Sequence, residues 1–203
     1  MRLNMQYIFE EGQAQGKKLL LLHGTGGDET SLLEIAHYLD EGATVLSFRG
    51  TIQEAGMNRF FKRNGLNQFD LVSLEAESDR LIQVILSVSE EKKIPLEEWT
   101  IVGYSNGANI AAHILLERHF AIKQAILFHP MSLGVDTQQF SLSDKKLWLS
   151  ISENDPIISA EAFDQLIQQL EKRQANLTIT STSAGHQLTM DEINQAKKWL
   201  SEH

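Results

Sequence analysis

The run KKLLLLHG at residues 17–24 limits the fold more than any other stretch of the chain. Four consecutive leucines fit neither the single stripe of an amphipathic helix nor the alternation of a half-exposed strand. Stopped by His23-Gly24, they predict a strand buried on both faces, and such strands belong to parallel sheets covered above and below. The segments around it agree. QYIFEE (6–11) reads as a first strand, and ETSLLEIAHYL (29–39) follows the leucines with helical spacing at Leu32, Leu33, Ile35, Ala36 and Leu39. ATVLSFRG (43–50) is a strand, an irregular polar stretch runs to about residue 68, and a helix is expected over roughly 70–92. Strand 99–105, helix 106–118, strand 124–131, strand 145–155, helix 159–173, strand 176–186 and a closing helix from Thr189 complete the order. This alternation predicts an α/β architecture: a doubly wound, mostly parallel sheet flanked by helices, with functional loops at the carboxyl ends of its strands.

With 203 residues the chain is sized for one core, and a single domain over 1–203 is expected. A net charge of -9 argues against nucleic acid and anionic membrane as partners. There is no cysteine, which removes disulfides, thiolate metal sites and thiol nucleophiles. The stretch MRLNMQYIFEEGQ turns polar and acidic too early for a secretory signal, and no apolar run approaches a membrane span. A cytoplasmic protein is the expectation.

Within IVGYSNGANIAAHIL (101–115), Gly103-Tyr104-Ser105-Asn106-Gly107 matches G-x-S-x-G. An apolar strand stops there and an apolar helix begins, the context in which this motif makes a sharp turn and displays its serine. A hydroxyl is a poor nucleophile at neutral pH and needs a base, which in turn needs an orienting acid. Seven histidines compete. His37 and His113 lie inside expected helices, His119 at a helix end and His203 at the last residue. His23, His129 and His186 fall at strand ends. His186, in TSTSAGHQLT, is preferred over His129 because an acid-bearing strand end lies between it and Ser105 in sequence. The acid is expected in SENDPII: Asp155, fixed by Pro156, with Glu153 as the alternative, against the plainer reading of an Asn-Asp-Pro turn.

Acyl transfer also needs two preorganised N–H donors for the developing oxyanion. Asn106, following the serine, offers one. The glycine-rich exit of the leucine strand, His23-Gly24-Thr25-Gly26-Gly27, offers the other, with Thr25 expected as donor and Gly26 as the fallback. This loop lacks the lysine and glycine spacing of a phosphate-binding motif. His23 is expected to brace it.

The pieces LLHGTGGDE, GYSNGANIA, ENDPII and SAGHQLT, in that order, resemble the α/β-hydrolase superfamily across most of the chain. More narrowly, the chain is similar to the small bacterial carboxylesterase and phospholipase-type family that includes acyl-protein thioesterases. SFRGTIQEAGMNRFFKR (47–63) is similar to a subgroup linked to tolerance of hydroquinones. The resemblance implies an α/β-hydrolase fold without a large cap. It assigns the triad to Ser105, Asp155 and His186, and implies hydrolysis of small carboxylic esters, or thioesters, without metal or organic cofactor. It leaves a homodimer open. Asn106 stands where many thioesterase-like members carry Gln, so their substrate preference does not transfer. A non-catalytic binding protein on a hydrolase scaffold and a small-substrate serine peptidase are the alternative readings. His23, Gly24, Arg49, Arg59, Phe60, Phe61 and Tyr104 are the candidate substrate contacts. Phe60 and Phe61 either line a pocket or pin a loop to the core, and Arg49 and Arg59 either steer an anion or brace that loop.

Overall fold

The computed structural model describes residues 4–203, so the first three residues of the amino-terminal stretch lie outside it. In chain order the elements are β1 (Tyr7–Glu10), β2 (Lys18–Leu22), α1 (Leu33–Leu39) and β3 (Thr44–Phe48). Four short strands follow: β4 (Ile52–Glu54), β5 (Met57–Arg59), β6 (Arg63–Gly65) and β7 (Gln68–Phe69). Then come α2 (Leu71–Lys92), β8 (Trp99–Tyr104), α3 (Asn106–Glu117), β9 (Gln124–Phe128), β10 (Lys146–Ser152), α4 (Ala160–Lys172), β11 (Asn176–Thr182) and α5 (Met190–Glu202).

Seven strands form one sheet in the order β1-β3-β2-β8-β9-β10-β11. β1 pairs antiparallel with β3, and every other pairing in that sheet is parallel. The leucine run works as its composition requires. Leu20 and Leu22 pack on one face with α2, α3 and α4, while Leu19 and Leu21 pack on the other with α1 and α5. All four are 1% exposed or less.

Two differences from the sequence reading have local causes. The helix expected from residue 29 starts at Leu33, because Asp28 Oδ1 accepts from the N–H and hydroxyl of Thr30 and holds a turn there. The irregular stretch 51–68 contains two small antiparallel hairpins, β4–β5 and β6–β7. Their strands are two or three residues long, too short for alternation to be read. Among the described residues no helix is long and apolar enough to cross a membrane.

Candidate active site

β8, near the middle of the sheet, ends at Tyr104, and α3 begins at Asn106. Ser105 alone makes the turn, at φ 50° and ψ -111°. A non-glycine residue there stores roughly 1–3 kcal/mol of strain. The turn is held by Ser105 N–H donating to Phe128 O at 2.9 Å and by Asn109 N–H donating to Ser105 O at 2.8 Å. The glycines of the motif have a steric reason. A Cβ on Gly107 would sit 2.0 Å from Leu22 O, and one on Gly103 would sit 2.8 Å from Ala108 Cα. Helix, turn and strand can pack this closely only without those side chains. The Ser105 hydroxyl caps no helix N–H.

That hydroxyl meets His186 instead, with Oγ 2.8 Å from Nε2. On the other side of the ring, Nδ1 lies 2.6 Å from Asp155 Oδ2. The two oxygens of the Asp155 carboxylate have separate partners. Asp155 Oδ1 accepts from the N–H groups of Ile157 and Ile158 at 2.8 and 3.0 Å and builds the turn. Oδ2 is left for the imidazole. Burial alone would raise the Asp155 carboxyl, but the hydrogen bonds from His186, Ile158 and Ile157 outweigh it and hold it below its usual value. An ionised carboxylate only accepts, so Asp155 Oδ2 favours the N–H of His186 on Nδ1 and leaves Nε2 to face the serine. The ring is also held by Tyr104, whose hydroxyl donates to His186 O at 2.8 Å and whose ring lies 5.5 Å away. The alternative acid, Glu153, is exposed.

Ser105 and His186 open onto a cavity of about 230 Å³, whose walls include Thr25, Arg59, Tyr104 and Asn106. Among the described residues Thr25 N–H makes no hydrogen bond, whereas Gly26 N–H is committed to Asn58 O at 2.9 Å. The fallback donor is therefore spent. Asn106 N–H belongs to the first turn of α3, where intrahelical acceptors are missing. Asn106 Oδ1 accepts from Phe60 N–H at 2.7 Å and ties the cavity floor to the β5–β6 segment.

Several candidate substrate contacts sit elsewhere. Phe60 and Phe61 are 1% and 0% exposed and belong to the core. Phe61 packs edge-on against Phe69 at 5.6 Å, and it is Phe69 that lines the cavity. Arg49 is turned to Glu29, with a two-point contact at 2.5 and 2.9 Å. His23 is buried as a brace: its Nε2 accepts from Gly50 N–H at 3.0 Å, and burial lowers its pKa. Gly24 lies where a Cβ would come 2.7 Å from the Tyr104 ring, so it lets that ring close against the loop. Met57, Arg63, Leu66, Phe69, Met131 and Ile158 are cavity residues that the sequence alone did not single out.

The dienelactone hydrolase family matches residues 66–199. MhqD of Bacillus subtilis (strain 168) is 35% identical over 198 residues, covering 98% of each chain. The chain belongs to the dienelactone hydrolase family. Its structure is similar to a Bacillus cereus carboxylesterase, with a TM-score of 0.95 and 39% identity over 99% of this chain and 95% of that one. It is also similar to YahD, solved with malic acid, with a TM-score of 0.93 and 40% identity over 98% of each chain. By family and by these structures it is a carboxylesterase-type α/β hydrolase without a large cap.

Behind the acid, this dienelactone hydrolase family member carries a second imidazole. His129, the rejected candidate base, follows β9 at φ 53° and is 1% exposed. Its Nδ1 lies 3.2 Å from Asp155 Oδ2, and its Nε2 lies 2.7 Å from Glu192 Oε1. Glu192 is fully buried at the third position of α5, where its other oxygen accepts from Thr189 N–H at 3.0 Å in a capping box. Burial would lower the His129 pKa, but its contacts with Glu192 and Asp155 raise it. Burial would raise the Glu192 carboxyl, and contact with His129 lowers it. His129, Asp155 and His186 bring three ligand-type atoms within 4.8 Å of one another. His129 Nδ1 and His186 Nδ1 both sit at hydrogen-bonding distance from Asp155 Oδ2, so one carboxylate oxygen serves two imidazoles. The sequence carried half a signal for this cluster: T-x-x-E at 189–192 reads as a capping box, but nothing local says that its glutamate also meets an imidazole.

Proposed function

We propose that this protein hydrolyses small carboxylic esters through an acyl-enzyme formed on Ser105. The observation that carries the reading is the chain Ser105 Oγ–His186 Nε2–His186 Nδ1–Asp155 Oδ2, at 2.8 and 2.6 Å, opening on the cavity. Ser105 Oγ attacks the ester carbonyl as its proton passes to His186 Nε2. Asp155 stays ionised and stabilises the resulting imidazolium. The N–H groups of Thr25 and Asn106 receive the oxyanion. The C–O bond to the alcohol then breaks, and the alcohol leaves with the proton from Nε2. Water, deprotonated by His186, attacks the acyl-serine; the bond from the acyl carbon to Ser105 Oγ breaks, the proton on Nε2 returns to that oxygen, and the acid is released. The cavity is smaller than the ~300–1,000 Å³ of drug-sized sites, which favours small substrates.

A fluorophosphonate probe is expected to label the peptide containing Ser105 and to abolish hydrolysis of p-nitrophenyl acetate. Ser105→Ala should lose both labelling and turnover, with kcat falling on the order of 10⁶-fold. Labelling that survives in the variant would remove Ser105 from the mechanism.

A further inference from the structure

His129 and Glu192 take no part in the reaction as written, yet they are the most deeply buried charged contacts touching it. The side chains of His129, Asp155 and Glu192 are all 0% exposed. Such burial is costly unless the charges compensate one another. Both nitrogens of the His129 ring face carboxylates: Asp155 at Nδ1 and Glu192 at Nε2. An ionised carboxylate only accepts hydrogen bonds, and a neutral imidazole has only one N–H to give. A neutral ring would therefore set a nitrogen lone pair against a carboxylate. Protonation of both nitrogens removes the conflict. Two other groups face the ring: Tyr104 from the end of β8 at 6.2 Å and His186 from the loop after β11 at 5.4 Å, centroid to centroid. Among the described residues Glu192 Oε1 and His129 Nε2 make no aligned hydrogen bond, with each other or with any other group, so the 2.7 Å between them is the close approach of an ion pair.

We infer that His129 is a positioning residue of this site: an imidazolium clamped between Glu192 and Asp155, holding the Asp155 carboxylate in register for His186 and offsetting one of the two negative charges behind it. The inference rests on the Ser105–His186–Asp155 reading for its effect on catalysis, but the charge of His129 can be observed without any turnover. At rest the three groups carry one net negative charge. When His186 takes the serine proton, the four-residue cluster becomes neutral. Without the His129 cation, His186 would face two uncompensated carboxylates and hold its proton too tightly to act as a base. The raised pKa of His129 and the lowered pKa values of Asp155 and Glu192 agree in direction with this charge assignment.

The test has two arms. In the first, nitrogen-15 imidazole spectra of the wild-type protein at pH 7.5, assigned with His129→Gln, report the ring state. Two protonated nitrogens on His129 are expected, and a neutral tautomer would overturn the inference whether or not the protein is an esterase. In the second, kcat/KM for p-nitrophenyl acetate is followed against pH. His129→Gln removes a cation about 5.4 Å from the base and should move the acid limb upward, by at most about two pH units at an effective dielectric of about 20. Glu192→Gln keeps a helix-capping side chain and should move the limb downward by less. The double variant should return it towards wild type. A purely structural role would lower kcat in all three and leave the limb in place, which would also overturn the inference.

Discussion

The two charged clusters flanking the candidate nucleophile are built in opposite senses. In front, Arg59 and Arg63 share Glu54: Arg63 Nε donates to Oε1 at 2.8 Å, and Arg59 Nε lies 3.4 Å from Oε2. Both arginines line the cavity and, among the described residues, no carboxylate does, so the front keeps one surplus positive charge. Behind, His129 is shared by two carboxylates, and the surplus is negative. The front cluster stands in a cleft on short hairpins, with the Arg63 side chain 28% exposed. The rear one is sealed beneath α5. The difference is one of purpose. A surplus that water can reach is available to a ligand, whereas a sealed surplus can be felt only by the residue next to it, here His186.

The comparison breaks most readily at the rear. His129→Leu should destabilise the protein by about 3–5 kcal/mol in urea unfolding, because it leaves two buried carboxylates facing each other. The loss depends on pH with a defined sign. His129 has a raised folded pKa, so its contribution is complete below its ordinary value of 6.5 and fades as pH rises through the folded value. Asp155 and Glu192 have lowered folded pKa values, so theirs is complete above their ordinary values of 3.8 and 4.5 and fades as pH falls through the folded ones. The gap between wild type and variant should be widest between about pH 4.5 and 6.5. A gap that does not vary with pH would mean that lost packing, not charge, sets the cost.

The front cluster gives a smaller effect. Arg63→Gln removes the surplus charge, so the preference of the enzyme for monomethyl succinate over dimethyl succinate, read as a ratio of kcat/KM values in a pH-stat, should fall on the order of tenfold. An unchanged ratio would leave the front charge without a role in recognition. The smallest effect is expected at Arg49, whose guanidinium is spent on Glu29 outside the cavity. Arg49→Ala should leave the melting temperature close to that of the wild type and shift the same ratio by less than about twofold.

The parts of this arrangement that the sequence discloses are those written in contiguous residues. KKLLLLHG announces a doubly buried strand because four leucines stopped by a glycine are too few for a buried helix, and GYSNG between an apolar strand and an apolar helix announces a serine turn. The strand-end positions of Asp155 and His186 follow from the same alternation. What the sequence hides depends on distant partners. FF at 60–61 is equally compatible with a pocket wall and a core anchor until Phe69 is seen to occupy the wall. Arg49 is indistinguishable from Arg59 until Glu29 claims it. His129 looks like a rival base, and only the meeting of β9 with the start of α5 makes it a companion of the acid. The hairpins of residues 52–69 are hidden for another reason: strands of two or three residues carry no period.

The unbalanced guanidinium pair has one more consequence. Each turnover of an ester creates a fresh carboxylic acid, and near neutral pH that acid ionises within reach of Arg59 and Arg63. The same charge that would welcome an acidic reactant would slow the departure of what is made, so accumulating acid should throttle the enzyme, and throughput in a cell would depend on how quickly something else clears it.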